Sequence, residues 1–287
     1  MKQNILVLGV TGMLGHTVFR HLFNCPDFHV YGTLRDQRGI NFFPESMRSN
    51  VLADIDLLDQ GTLAQVLAKT KPDVIINCVG LIKQFAAANN PLIALPINAM
   101  FPHQLAQAAQ LINARVIHIS TDCVFSGITG SYTEEDLCDA QDLYGLSKKI
   151  GELTEYPHAV TLRTSIIGHE LNSKHSLIDW FLNQERTVKG YTKAIFSGLP
   201  TIELAQIIAD YVIPDKSLSG LNHVSAEPID KYTLLKLTAE VYAKEIEIIA
   251  DDTLKIDRSL NAERFKKLTG YKPSPWPELI TKMKHFR

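Results

Sequence analysis

The sequence predicts an α/β fold: a doubly wound parallel sheet with a smaller α/β lobe built from discontinuous C-terminal segments. Over the first half of the chain, short apolar runs rich in β-branched residues alternate with helical patterns. The runs VIIN (74–77) and VIHIS (116–120) are nearly continuously apolar, which is typical of parallel strands covered by helices on both faces. The regular strand–helix order predicts right-handed crossovers between strands.

The elements of the first half follow from these patterns in chain order. Strands are predicted at 5–8, 29–33, in VLADID (51–56), and at 73–78, 115–120 and 159–163. Helices are predicted at 13–23, 60–70, 102–112 and 144–155. Six strands separated by helices are enough for a single large open sheet.

Beyond residue 168 the alternation weakens. A short helix is predicted at 177–182, while a helix at 201–213 and a strand at 220–225 are expected to return to the main sheet. A helix at 231–243 and a strand at 247–249 precede a proline-punctuated end. We therefore expect a main domain of 1–168 with about 195–226, and a second lobe of about 169–194 with 227–287.

The amino-acid composition limits the binding partners and the cellular compartment that we expect. The 287 residues carry a formal net charge of -2, so no positive field favours nucleic acid or an anionic membrane. The four cysteines form no CxxC pair, which favours a reducing compartment. No apolar run is long enough to span a membrane, and the ten histidines form no HExxH motif. We expect a soluble, cytoplasmic protein without a catalytic metal.

A glycine-rich loop directly follows the first predicted strand and opens the first predicted helix. A dinucleotide requires such a loop: one glycine permits the tight turn, a second lets the backbone approach the pyrophosphate, and a third allows close helix–strand packing. The N–H groups of the helix N-terminus then face the anion. This predicts a Rossmann-type cofactor domain, although a tight turn without a ligand would use the same glycines. The expected cofactor contacts are Gly9, Thr11, Gly12, Met13, Leu14 and Gly15.

The end of the second predicted strand favours NADP(H) over NAD(H). NAD-specific sites place a carboxylate there to bind the ribose 2′-hydroxyl, but Thr33 and Leu34 occupy those positions, and Arg35 and Arg38 follow. An arginine can hold a 2′-phosphate with two hydrogen bonds, and Arg35 is the expected contact. Solvated loop arginines would give the same pattern, and Asp36 between them weakens the prediction.

Two further loop segments are weaker candidates. Asp54 and Ile55 close the third strand pattern and could lie beside the adenine, although a loop acid without a ligand fits equally well. Lys83 and Gln84 follow the fourth strand and could face a substrate. Ordinary loop residues would leave the same signal in both segments.

A tyrosine and a lysine at helical spacing indicate carbonyl chemistry. Tyr144 and Lys148 are four residues apart at the start of a predicted helix, so they share one face. A phenol is a poor acid–base group at neutral pH, and a nearby cation lowers its pKa. Ser120 and Thr121 end a buried strand, where ligands bind in open α/β sheets. A hydroxyl there can hydrogen-bond a substrate carbonyl, or it can serve the loop backbone alone.

Four motifs together resemble a known family. The glycine triplet, STDCVFSG (120–127), YGLSKKIGE (144–152) and LRTSIIG (162–168), in this order and spacing, resemble the extended short-chain dehydrogenase/reductases. Within them the sequence is most similar to the dTDP-4-dehydrorhamnose reductase-like branch. The similarity runs from Ile5 to about Gly168 and resumes weakly near the C-terminus.

The resemblance implies an NAD(P)H-dependent reduction of a keto group, expected at C4, on a nucleotide-diphosphate sugar in polysaccharide or glycoconjugate precursor synthesis. Thr121 would polarise the carbonyl, Tyr144 would protonate the alkoxide, and Lys148 would bind the nicotinamide ribose and lower the tyrosine pKa. The segment after the fourth strand, Cys78, Val79 and Gly80, would line the cofactor. A homodimer is possible.

Two positions depart from that branch, and two other functions remain open. Cys123 and Ile166 stand where the reductases usually carry aromatic residues, so these substrate positions offer less flat surface to a sugar. The same scaffold also serves epimerases and dehydratases, which use bound NAD. It also serves non-catalytic NADP-binding regulatory subunits.

Overall fold

The computed structural model describes residues 2–83 and 85–287, so Gln84 lies outside the described residues. The strands are β1 (Gln3–Leu8), β2 (Phe28–Thr33), β3 (Val51–Leu52), β4 (Val74–Asn77), β5 (Arg115–Thr121), β6 (Ala159–Thr164), β7 (Ile166–Ile167), β8 (Val188–Tyr191), β9 (Ala194–Phe196), β10 (Leu199–Pro200), β11 (Gly220–His223), β12 (Ile229–Asp230), β13 (Ile248–Asp251) and β14 (Ile256–Asp257). The α-helices are α1 (Met13–Phe23), α2 (Glu45–Arg48), α3 (Gln60–Thr70), α4 (Pro91–Ala94), α5 (Phe101–Leu111), α6 (Leu143–Ile150), α7 (Leu177–Leu182), α8 (Thr201–Ile207), α9 (Lys231–Tyr242), α10 (Glu263–Thr269) and α11 (Trp276–His285).

Seven strands form one parallel sheet in the order β11-β6-β5-β4-β1-β2-β3. Every residue of β4 and β6 is buried, as expected for strands covered by helices on both faces. The strand order reverses between β1 and β4, and ligands of open α/β sheets bind at such a switch point. The predicted fold class is confirmed.

The remaining strands lie in three small sheets, which pair β10 with β7, β13 with β8, and β9 with β12 and β14. Residues of these small sheets share a hydrophobic core with the main sheet, because Phe196, Leu199 and Ile229 pack in one cluster with Val7 and Ile117. The predicted division into 1–168 with about 195–226 and a second lobe stays a prediction.

Several predicted boundaries differ from the structure, for physical reasons. The helix predicted at 144–155 ends at Ile150, because Gly151 packs so closely on Asn98 that a Cβ there would overlap the Asn98 carbonyl oxygen. The helix predicted at 102–112 begins at Pro91 and includes a π-helical segment, Leu95–Met100. The third strand is only Val51–Leu52, since Asp54 has a positive φ of 58°. Within the described residues, no helix has the length and apolar character needed to cross a membrane.

Candidate active site

The glycine loop has the geometry of a phosphate cradle. Gly9 has a φ of +80°, which glycine adopts without a steric penalty. A Cβ on Gly15 would overlap the Gly9 carbonyl oxygen, so the third glycine is required for close packing of α1 on the loop. Gly12 caps α1 without a side-chain hydrogen bond, and no acidic residue lies in the first turn. The N-terminal N–H groups of α1 therefore face a region without competing carboxylates, which fits a pyrophosphate.

Substitution of the third glycine is predicted to abolish cofactor binding. Gly15→Ala places a methyl group against backbone that cannot withdraw, so the loop must open. We expect at least about a tenfold loss in NADPH affinity, measured by cofactor fluorescence. Gly61→Ala is the matched control and should leave NADPH affinity unchanged, because Gly61 is exposed on α3 and its Cβ would lie 3.3 Å from the Asp59 carboxylate, outside the glycine loop. Equal NADPH affinity in Gly15→Ala and the native chain would contradict the assignment of this loop.

The end of β2 lies directly against the glycine loop. The Val10 amide donates to the Thr33 carbonyl oxygen at 2.9 Å, and a Cβ on Gly39 would lie 2.8 Å from the Thr11 methyl group. The two arginines of this segment differ in their partners. Arg38 donates from Nε to both carboxylate oxygens of Asp36 at 3.0 Å, whereas Arg35 is exposed and makes no hydrogen bond or ion pair within the described residues.

The predicted adenine-side residues have different surroundings. Asp54 accepts a hydrogen bond from the Gln37 amide at 3.2 Å and so fixes the loop that follows β2. The Ile55 amide donates to the Leu34 carbonyl oxygen at 3.1 Å, and the Ile55 side chain packs partly on the hydrophobic core. Both residues lie beside the segment that contains Arg35. Their contact with an adenine stays a prediction.

The segment after β4 links the glycine loop to the catalytic residues. The Cys78 amide donates to the Leu8 carbonyl oxygen at 3.2 Å, and a Cβ on Gly9 would lie 3.0 Å from the Val79 side chain. Asn98 is buried and braces the following residues, accepting from the Leu81 amide at 2.8 Å. Cys78 and Val79 therefore lie next to the glycine loop, and the contact of Cys78, Val79 and Gly80 with a cofactor stays a prediction.

The three predicted catalytic residues meet at the carboxyl end of β5. Thr121 is the last residue of β5, and Tyr144 and Lys148 lie on α6. The Lys148 ammonium donates to the Ile119 carbonyl oxygen at 2.7 Å, which fastens α6 to β5. A Cβ on Gly145, the residue after Tyr144, would overlap the Cys123 carbonyl oxygen, so the start of α6 packs closely on the residues after Thr121. Hydrogen bonding to the Thr121 hydroxyl acts to lower the pKa of Tyr144, and the Lys148 charge acts on the Cys78 thiol.

Burial controls the charge of these groups. Burial raises the pKa of Tyr144 well above its usual range, the Cys123, Asp122 and Asp142 side chains add to this, and only the Thr121 hydrogen bond opposes it. Burial also lowers the pKa of Lys148 to about 8. Lys148 is not among the groups that shift the pKa of Tyr144 here, so its lowering of the tyrosine pKa stays a prediction. Tyr144 is therefore protonated at neutral pH, as a proton donor must be.

The structure places only some of the predicted substrate-binding residues at this site. Cys123 follows Thr121 by two positions, and its amide donates to the Thr121 hydroxyl at 3.1 Å. Ile166 lies in β7, one residue beyond the central sheet, and packs partly on the core. Lys83 is half-exposed and forms an ion pair of 2.9 Å with Asp142, the N-cap residue of α6. Gln84 cannot be placed, because it lies outside the described residues.

Two charged residues near the site were missed in the sequence. Lys231 begins α9, and Arg258 follows β14. Both act electrostatically on the buried Asp122 carboxylate, which is adjacent to Thr121. No periodic pattern or motif marks either residue, and their proximity to Thr121 arises only from the tertiary fold.

A buried ion pair stabilises the end of β5 next to Thr121. The Glu152 carboxylate accepts from Arg163 Nε at 2.9 Å and Nη2 at 2.8 Å, and from the Ser120 hydroxyl at 2.8 Å. Arg163 also lies over the Phe125 ring, 5.0 Å from its centroid. These contacts join the segment that follows α6 to β5 and β6, next to Thr121 at the end of β5. Within the described residues, no group of three or more His, Cys, Asp or Glu side chains could hold a metal ion.

The chain is similar in sequence to a protein family and to curated proteins. The chain matches the family model described as RmlD substrate binding domain over residues 1–248. It is 25% identical to methionine adenosyltransferase 2 subunit beta of Mus musculus, covering 98% of this chain and 90% of that protein. It is 26% identical to dTDP-4-dehydrorhamnose reductase of Aggregatibacter actinomycetemcomitans, covering 78% of this chain and 74% of that protein.

Solved structures share the whole fold. The dTDP-4-dehydrorhamnose reductase of Bacillus anthracis in complex with NADP superposes with a TM-score of 0.82 at 21% identity, covering 100% of this chain and 99% of that one. The dTDP-glucose 4,6-dehydratase of the same organism, in complex with NAD, superposes with a TM-score of 0.80 at 16% identity, covering 99% and 96%. Neighbours of this fold therefore bind either dinucleotide.

Proposed function

The chain belongs to the RmlD substrate binding domain family, and from this premise we propose that it is an NADPH-dependent reductase of a keto group, at C4, on a nucleotide-diphosphate sugar. The family resemblance expected from the sequence motifs is confirmed. The observation that carries the proposal is the meeting of Thr121, Tyr144 and Lys148 at the end of β5. The Lys148 charge acts on Cys78, which lies on the segment that contacts the glycine loop.

Thr121, Tyr144 and Lys148 each have a role in the reaction that is compatible with their surroundings. When bound, the nicotinamide supplies the hydride, and the protein supplies orientation and a proton. Tyr144 donates its phenolic proton to the carbonyl oxygen as negative charge develops there, and its high pKa keeps that proton in place beforehand. The Thr121 hydroxyl polarises the same oxygen. Lys148, held by the Ile119 carbonyl oxygen, would bind the ribose hydroxyls of the cofactor.

Arg35 supports a preference for NADP(H). Its guanidinium has no partner within the described residues and lies on the loop that contacts the glycine loop. Arg35→Ala is expected to weaken NADPH about tenfold or more and leave NADH unchanged, because only NADPH carries the 2′-phosphate. The ratio of kcat/KM for the two cofactors measures this.

Arg38→Ala is the matched control for that prediction. The Arg38 guanidinium is already paired with Asp36, so its removal should change the cofactor ratio much less. An equal change in kcat/KM for NADPH and NADH in Arg35→Ala would contradict the 2′-phosphate contact.

The reaction is tested by offering a panel of 4-keto sugar nucleotides to the purified protein with NADPH or NADH. The expected result is consumption of NADPH in equal amount to the reduced sugar. An epimerase or dehydratase would instead keep NAD bound and recycle it, and the NAD-bound dehydratase with the same fold makes this the first rival to exclude.

A second candidate function is that of a non-catalytic NADP-binding subunit. It is favoured by the similarity to methionine adenosyltransferase 2 subunit beta over nearly the whole chain. The presence of all three catalytic side chains favours the reductase. Stable association with a methionine adenosyltransferase catalytic subunit, without turnover of any keto sugar, would reverse this ranking.

The setting of the reaction is also part of the proposal. The four cysteines form no disulfide, which suits the reducing cytoplasm, where polysaccharide precursors would be reduced. Exposed apolar side chains on the α4–α5 region and on α6 suit a homodimer. They include Leu92, Met100, Leu111, Leu146 and Ile150.

A further inference from the structure

Lys231 is a partly buried cation whose ammonium is not hydrogen-bonded to any acceptor within the described residues. Its ammonium lies 4.1 Å from the centroid of the Phe196 ring, and within the described residues it makes no hydrogen bond and no ion pair. The ring attracts the charge but accepts no hydrogen bond of ordinary strength. An ammonium removed from water and left without an acceptor is unfavourable. The Lys231 ammonium therefore has donors available for a ligand.

Arg258 lies on the other side of β9 from Lys231: Asp230 of β12 and Asp257 of β14 both pair with Ile195, and Lys231 and Arg258 are the next residues. Its Nε donates to the Phe125 carbonyl oxygen at 2.8 Å, and its Nη1 lies 3.8 Å from the Cys123 sulfur. The first contact fixes the plane of the guanidinium, and the thiol is a weak acceptor. The outer N–H groups of Arg258 are therefore held in a defined direction beside Cys123. Such a planar fork is suited to two oxygens of one anion.

The neighbouring carboxylates do not neutralise the charges of both Lys231 and Arg258. Asp122 is the buried carboxylate that both cations influence, and it already accepts from the Thr121 hydroxyl at 3.2 Å. Burial raises the pKa of the Cys123 thiol to about 12, so it carries no charge at neutral pH. Arg258 also acts on two more distant carboxylates. Asp139 accepts from Ser126, and Asp142 is paired with Lys83.

We propose that Lys231 and Arg258 form a subsite for the anionic oxygens of the substrate, a phosphate of the nucleotide or a carboxylate on the sugar. The proposal rests on the proposed function, because it places this subsite next to Thr121 and Tyr144. Lys231 and Arg258 come from the C-terminal segments, whereas the cofactor loop comes from the first strand. The substrate would thus be held at its anion by one part of the chain and at its carbonyl by the other.

The test measures binding, not turnover. Titration calorimetry on the NADP⁺-loaded protein uses UDP and dTDP as phosphate probes, glucuronate as the carboxylate probe, and uridine as the uncharged reference. Lys231→Met is expected to weaken at least one anionic probe about tenfold or more and to leave uridine unchanged, because a charge-assisted hydrogen bond is lost. Weakening of the nucleotides identifies a phosphate, and weakening of glucuronate alone identifies a carboxylate.

Two further variants make the result decisive. Lys236→Met removes an exposed lysine from the same helix, one that lies 5.4 Å over the Tyr232 ring, and should leave every probe unchanged. Arg258→Lys keeps the charge but loses the fork, and should weaken the same probe as Lys231→Met. Unchanged affinity for all anionic probes in both Lys231→Met and Arg258→Lys, with NADPH still bound, would overturn the subsite. Lys231-dependent anion binding without any keto-sugar reduction would instead overturn the proposed function and leave the subsite standing.

Discussion

Tyr144→Phe is expected to fold normally, bind NADPH with native affinity and lose at least about a hundredfold in kcat, since general acid catalysis typically contributes that much. The substitution removes only the phenolic oxygen. The ring remains on α6, and Lys148 keeps its hydrogen bond to the Ile119 carbonyl oxygen. The loss should appear in kcat more than in KM, because proton donation stabilises the transition state rather than the bound substrate.

Tyr156→Phe is the matched control for the tyrosine substitution. Tyr156 lies shortly after α6, packs partly on the hydrophobic core, and its hydroxyl makes no hydrogen bond within the described residues. Its kcat should stay within about twofold of the native value, because no donor or acceptor is lost. Turnover by Tyr144→Phe at a rate close to that of Tyr156→Phe would remove the phenol from the mechanism.

Glu152→Ala is expected to destabilise the protein by about 3–5 kcal/mol, the usual cost of removing one partner of a buried ion pair. Arg163 is fully buried and donates two hydrogen bonds to this carboxylate. Within the described residues no other anion replaces it: the remaining partners of the guanidinium are His223 Nε2 at 2.8 Å and the Cys138 sulfur at 3.5 Å. Burial, followed by the Arg163 charge, lowers the pKa of His223 to about 3, so this ring is neutral. Arg163 would then be an uncompensated buried charge.

The free energy of unfolding in urea measures this effect, with Glu155→Ala as the matched control. Glu155 is exposed, and its only hydrogen bond comes from the neighbouring Thr154 hydroxyl. Its loss should change stability by less than about 0.5 kcal/mol. A similarly small change for Glu152→Ala would mean that Glu152 and Arg163 do not support the end of β5.

The local patterns of the sequence predicted the main sheet well, because buried parallel strands and amphipathic helices are determined by neighbouring residues. Helices α1, α3 and α7 begin and end where the patterns place them. The end of α6 could not be predicted, since it depends on the close approach of Gly151 to Asn98. The short strands β7, β9 and β12 were missed, because two or three residues carry no periodicity.

The candidate site was predictable where its residues share a motif and not where the fold brings distant segments together. Tyr144 and Lys148 share a helix face, and Thr121 ends a recognisable strand. Lys231 and Arg258 reach Asp122 only through the packing of the C-terminal segments. The high pKa of Tyr144 was also not predictable, because it depends on how far burial outweighs the neighbouring charges.

The central claim is that Thr121, Tyr144 and Lys148 deliver a proton while a hydride passes from the cofactor to a sugar carbonyl. It is tested most directly with NADPH carrying deuterium at the transferable position of C4. The account predicts that each molecule of reduced nucleotide sugar contains the deuterium at the former carbonyl carbon, detected by mass spectrometry and NMR. Products without deuterium, or a cofactor that is returned unchanged, would contradict it.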